Sequence, residues 1–308
     1  MKKTITALFM LLSLGAAAQT TPEDFSAKYN RLTAMVGPAG VGIETHIDKW
    51  EAAFPEDVDM LKAKALFWFT RSERSEIVAK NQKKFMGNEP VLALKDTLGN
   101  DVFYFQEMLH DEEMFGECIK ALDKAIRLNS RRLDLQCEKL NALAAFEKED
   151  PAMFMDELNG IIDYNYSSKP EWIFDGKKVD NELFESIVEE YCLQLYTIGS
   201  DRTLDAFRSV SEKMLKYSPK SVTFIDNLGS YEFVVKNNGK AALKRYNKAL
   251  KIDPKDYTAI KNSILIARRD KDTKLEKKYL PMLVKYGQTE LEKEAAQARL
   301  DALKGKKK

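Results

Sequence analysis

Few residues in this chain carry the types and spacing that chemistry needs. His46 and His110 are its two histidines, far apart in sequence and outside any HExxH-type metal spacing. His110-Asp111-Glu112-Glu113 could offer several ligands on one turn, but acids leading into a helix are explained by their favourable interaction with its N-terminal dipole. The sequence holds no GxSxG, P-loop, GxGxxG or CxxC. No catalytic residue, metal ligand set or cofactor is therefore assigned, and the chain reads as non-enzymatic. What remains is aromatic. Trp172 and Phe174 lie in the polar, broken segment 165–178, and Tyr104 in a strand-like run, where such rings could stack on a sugar-like ligand. The opposite expectation for the segment is that its aromatics tuck back onto the fold as a plug.

Cys118, Cys137 and Cys192 form an odd set, so at least one is outside any intrachain disulfide. A Cys118–Cys137 bridge is permitted by export to an oxidising compartment, although spacing alone cannot establish the Cα separation a bridge requires. Each cysteine nevertheless falls on an apolar helical stripe, where a thiol behaves as a small hydrophobe.

The N-terminus reads as an export signal. Lys2 and Lys3 precede the apolar run Ala7–Leu12, and Ala16-Ala17-Ala18 supplies a small-residue cleavage site, so residues 1–18 are expected to be a signal peptide. The run is too short to cross a bilayer, which takes about 20 residues. A periplasmic or secreted location is expected, with no transmembrane segment. The formal charge is +1, from 49 basic and 48 acidic residues. That balance argues against a nucleic-acid partner, which normally demands a basic face. Residues 305–308 are read as a solvated basic tail.

The elements that must position any site are almost all helices. Leu133, Cys137, Leu140, Leu143 and Ala144 recur at helical spacing, as do Ile187, Tyr191, Leu195 and Ile198. Helix-ending residues punctuate the pattern at Phe54-Pro55, Glu149-Asp150-Pro151, Gly199-Ser200-Asp201, Asn237-Asn238-Gly239 and Asp270-Lys271-Asp272. The exception is a pair of β-rich runs, 90–95 and 101–106, around a turn containing Gly99, which predict an inserted hairpin. Residues 290–303 read as a polar capping helix.

A phrase recurs along these helices: Lys248-Ala249-Leu250-Lys251-Ile252-Asp253-Pro254-Lys255, Lys213-Met214-Leu215-Lys216-Tyr217-Ser218-Pro219-Lys220 and, further upstream, Lys124-Ala125-Ile126-Arg127-Leu128-Asn129-Ser130-Arg131. Pro219 and Pro254 are 35 residues apart, close to the period of stacked helix pairs. In its best copy, Thr223–Pro254, Ile225, Leu228 and Gly229 occupy one helix while Ala242, Tyr246, Ala249 and Pro254 occupy the next. One extra residue is assigned to the 237–239 turn. These residues resemble the tetratricopeptide repeat (TPR) family, well over 201–286, fairly over 107–147 and thinly over the degenerate part 19–106. The signal peptide and hairpin add a likeness to exported envelope TPR proteins of Gram-negative bacteria. The resemblance implies an all-α, TPR-like α-solenoid of stacked antiparallel helix pairs over residues 19–304, with a small inserted β-hairpin near residues 90–106. It further implies that the first helix of each pair lines a concave surface, placing Asp226, Ser230, Phe233, Lys261, Leu265 and Arg268 there.

Two functional classes emerge. The first is an exported scaffold that binds another envelope protein or a peptide on that concave face. The second is recognition of a small, glycan-like ligand at Trp172, Phe174 and Tyr104.

Overall fold

The computed structural model describes residues 21–85 and 88–305. The expected signal peptide, and Lys306–Lys308 of the tail, lie outside the described residues. Thirteen α-helices, one π-helical turn and two small sheets are formed among them. The architecture is all-α, built from helix pairs, with the expected hairpin inserted. The chain forms two compact units, one of residues up to Glu73 together with His110–Leu128, the other of Arg74–Leu109 with Asn129 onward.

The first unit contains α1 (Pro22–Val36), α2 (Ile43–Ala53), α3 (Val58–Ser72) and α4 (Glu112–Leu128). Its α1 begins with a capping box, Thr21 and Asp24 each accepting from the other's backbone N–H, and Pro22 stands in its first turn, where a missing N–H costs nothing. The buried Trp50 donates its indole N–H to Asp57 (2.8 Å), and the same carboxylate caps α3 by accepting from Asp59 N. His46 is buried and its Nε2 lies 2.9 Å from the Phe25 carbonyl. The chain leaves the unit after Ser72 and returns at His110, and those two residues meet. Ser72 Oγ lies 2.8 Å from His110 Nδ1, while Asp111 N donates to the Ser72 carbonyl (2.8 Å). Asp111 then accepts from Glu113 N and Met114 N, so the acidic run is a helix start, and α3 packs chiefly on α4. Both histidines thus hold structure together.

The excursion between these residues belongs to the second unit. Strand β2 (Leu92–Lys95) pairs antiparallel with β3 (Asp101–His110) in the register Leu92↔Tyr104 to Lys95↔Asp101. The hairpin is as expected, but a third strand, β1 (Glu73–Lys80), lies on the other side of β3. Its sequence is polar and mostly exposed, so it has no alternating apolar pattern to announce it. Phe105 on β3 is covered by Phe85 (5.8 Å), and Glu107 receives Lys80 and Lys148, each at 3.2 Å. Lys148 closes α5 (Leu133–Glu147), so this ion pair anchors the sheet to a helix of its own unit.

Next come α6 (Ala152–Ser168), the two-residue strands β4 (Ile173–Phe174) and β5 (Lys177–Lys178), α7 (Asn181–Ile198) and α8 (Asp201–Tyr217). The polar segment is therefore not a loose loop. Asp175 and Gly176 both take positive φ (47° and 75°), as a tight hairpin between β4 and β5 requires. Ser200 caps α8, accepting from Thr203 N. The chain continues through α9 (Val222–Ser230), α10 (Gly239–Ile252), α11 (Tyr257–Arg269), α12 (Thr273–Tyr286) and α13 (Glu290–Gly305), each packing on its sequence neighbour. Ile225, Ala242, Tyr246 and Ala249 are fully buried in one cluster, as the repeat pattern requires.

One detail differs. The extra residue of the best copy sits in a π-helical turn, Tyr231–Val235, and not in the 237–239 turn, with Lys236 N donating to the Tyr231 carbonyl five residues back (3.1 Å). A π-turn is how a helix stores one residue too many. Cys118, Cys137 and Cys192 are all buried thiols, and burial raises Cys137 to about 11 and Cys192 further still.

Candidate functional site

Two places in the second unit gather residues that could engage a partner. The first runs over α7, α9 and α11. Asn227 on α9 donates to Glu189 on α7 (2.7 Å), and Asn262 on α11 donates to the Tyr246 hydroxyl (3.1 Å), which also lies 3.2 Å from Ser230 Oγ. Asp226 faces inward at 4% exposure, and its Oδ1 has no hydrogen-bond partner. Its carboxyl meets Asp256, whose own carboxylate caps α11 by accepting from Ala259 N. Burial, then the Asp256 contact, then the charge of Glu189 push Asp226 up to about 9. Burial raises Glu189 to about 7 against the hydrogen bond from Asn227. Asp226 is thus a protonated side chain at neutral pH, and it is not presented to solvent.

The other members of the expected face divide. Phe233, in the π-turn, packs on the core beneath the Arg269 guanidinium (4.9 Å). Lys261 and Leu265 are exposed on α11, Lys261 donating to the Tyr257 hydroxyl (2.7 Å), which donates in turn to Glu292 (2.7 Å). Arg268 donates to Glu276 (2.8 Å), a carboxylate only 1% exposed that Arg299 grips with two further bonds of 2.9 Å each. Arg268 thereby ties α11 to α12 and α13.

The second place is a cleft of about 430 Å³ along α6. Met153, Asp156, Glu157, Gly160, Ile161 and Tyr164 line it at helical spacing, forming one stripe of α6. Gln136 of α5 and Trp172 complete the wall. Glu157 pairs with Lys139 of α5 (2.6 Å). Trp172 is 2% exposed, its N–H bonded to Asn165 (3.1 Å) and its ring edge-on to Tyr164 (5.6 Å). Ile173 N donates to the Arg131 carbonyl (2.8 Å), fixing the segment at the start of α5. Of the three aromatics singled out in sequence, Trp172 reaches the cleft. Phe174 sits in β4 and Tyr104 in β3, opposite Leu92, and neither lines it.

Sequence reasoning missed Asp256, Glu189 and the α6 stripe. The stripe gave no signal, since carboxylates, a glycine and a tyrosine at these positions read as an ordinary solvent face beside the core face of Phe154, Leu158, Ile161 and Ile162. What made it a cleft, the way α5 and the Trp172 segment meet α6, is tertiary.

The fold and these two places define a helix-pair protein with a small inserted sheet. No known protein-family profile matches the chain, and no curated protein matches it. Among solved structures, one from a functional characterisation of Pseudomonas aeruginosa pilF aligns over 90% of this chain and 99% of that chain, at 12% identity and a TM-score of 0.36. A likeness at that score carries no argument about fold or activity. No helix among the described residues is long and apolar enough to cross a membrane.

Proposed function

We propose that this chain is an exported, non-enzymatic scaffold that binds a protein or peptide partner through the first helices of its TPR-like pairs. The observation that supports the reading is α11. It belongs to the clearest stretch of repeats, its inner side is buried, and it presents Lys261 and the 42%-exposed Leu265 to solvent. Paired helices with an exposed apolar position flanked by charge are suited to hold an extended or helical peptide. The test is capture of partners by cross-linking from an extract of the source cells, with Leu265→Glu beside wild type and Leu291→Glu as a control at another exposed leucine. Loss with Leu265→Glu alone supports the α11 face. Equal capture by both variants removes it.

A second reading, recognition of a small ligand, is favoured by one observation: the α6 cleft, whose volume lies within the range of small-molecule sites, roughly 300–1,000 Å³.

A further inference from the structure

We propose that the α6 cleft binds a compact organic cation, an alkyl guanidinium or alkyl ammonium group of the kind carried by arginine, lysine or a polyamine. The inference rests on the small-ligand reading and names its chemistry.

Three features point to a cation. The first is the balance of hydrogen-bonding groups. The Asp156 and Glu157 carboxylates and the Gln136 amide share the lining, so acceptors outnumber donors on the wall. The Trp172 N–H, the obvious donor, is already given to Asn165. A ligand that fits must therefore bring donors. The second is charge. Lys139 offsets Glu157 at 2.6 Å, whereas Asp156 is exposed with no ion pair to any described residue, leaving the cleft one negative charge. The third is the aromatic surface. Trp172 is too covered to offer a broad face for a sugar ring, whereas Tyr164 is a 45%-exposed aromatic ring of the lining and the exposed Met153 suits an alkyl stem.

Gly160 is an exposed residue of the cleft lining. Glycine inside a helix costs about 1 kcal/mol relative to alanine. A Cβ at Gly160 would meet no atom within 4 Å, so packing against the protein does not require glycine there. A large side chain there would project into the open space of the cleft.

The experiment is calorimetric titration of the intact chain with agmatine, spermidine, a Gly-Arg-Gly peptide and a neutral chito-oligosaccharide. Agmatine or spermidine binding without the peptide identifies a free amine as the source, and peptide binding identifies an arginine side chain. Asp156→Asn should weaken cation binding about tenfold, the loss of one charge-assisted contact. Gly160→Leu should abolish it, and Asp156→Asn, at an exposed position, carries the test if Gly160→Leu fails to fold. Saturation by the oligosaccharide with no cation binding overturns the cation and leaves the small-ligand reading standing. Cation binding unchanged in Asp156→Asn overturns the assignment to this cleft, and binding of no probe overturns both.

Discussion

A Cβ placed on Gly229 would lie 2.5 Å from Cε1 of Tyr246, a ring with no solvent exposure. The two residues belong to the two helices of one pair, α9 and α10, and their contact sets how closely those helices approach. Gly229→Ala should destabilise the second unit by about 1–3 kcal/mol through overpacking. Urea unfolding followed by circular dichroism measures the loss. Gly160→Ala is the contrast, because open space surrounds its Cβ and the variant should gain about 0.5–1 kcal/mol. A neutral Gly229→Ala would show that α9 and α10 can move apart at no cost.

Asp226 gives stability a pH slope. Its folded pKa of about 9 stands above the unfolded value near 3.8, so the native state keeps the proton longer. Its stabilising contribution is fully present below about pH 4, declines as pH rises, and is gone above about pH 9. Glu189, at about 7, adds a slope of the same sign. Asp226→Asn should raise the melting temperature at pH 8, by an amount corresponding to about 1–3 kcal/mol, and the advantage should shrink towards pH 5. Thermal melts of both proteins between pH 5 and 9 test it; parallel curves would show that Asp226 ionises in the folded state as it does in water.

Glu276 acts in the opposite direction. The hydrogen bonds from Arg299 and then Arg268 hold its carboxyl below the ordinary value, so its contribution is present above the unfolded pKa and is lost as pH falls through the folded one. Glu276→Gln should cost about 2 kcal/mol, less than a wholly buried pair because both arginines are partly exposed. Arg268→Glu would set two carboxylates together at the junction of three helices and should unfold α11–α13, an outcome visible as lost helicity.

The three thiols should resist alkylation in the native chain. Cys118, Cys137 and Cys192 are at most 7% exposed, and burial raises Cys137 and Cys192 above their ordinary range, so neither presents a thiolate at neutral pH. Mass spectrometry after iodoacetamide treatment should find them unmodified without denaturant and fully modified with it.

The fold was readable in sequence where small residues mark close approach. Gly229, Ala242 and Ala249 predicted the α9–α10 pair because a side chain's size is a local fact with a direct packing consequence. Strand β1 was not readable, since Glu73–Lys80 owes its conformation to a place beside β3 and not to an apolar pattern of its own. The tight turn at Asp175-Gly176 carried a legible hairpin signal, but its strands are only two residues each. At the candidate face, the repeat located the helix that carries Asp226 yet not its burial, which depends on Glu189 and Asp256 arriving from separate helices. The α6 cleft was not legible, because its solvent-facing stripe becomes a cavity only where Gln136 and Trp172 meet it.

The π-turn at Tyr231–Val235 takes up one residue more than an α-helix of the same length would hold. One surplus residue rotates the downstream chain by roughly 100°, so that Phe233 folds onto the core while its neighbour Val234 stands 58% exposed. Gly239 and Ala242 nevertheless arrive buried at the start of α10. A copy of the unit shorter by one residue could close the same distance with an uninterrupted α-helix. In this pair the surplus residue is held within a helix, and the close approach of Gly229 to Tyr246 is kept.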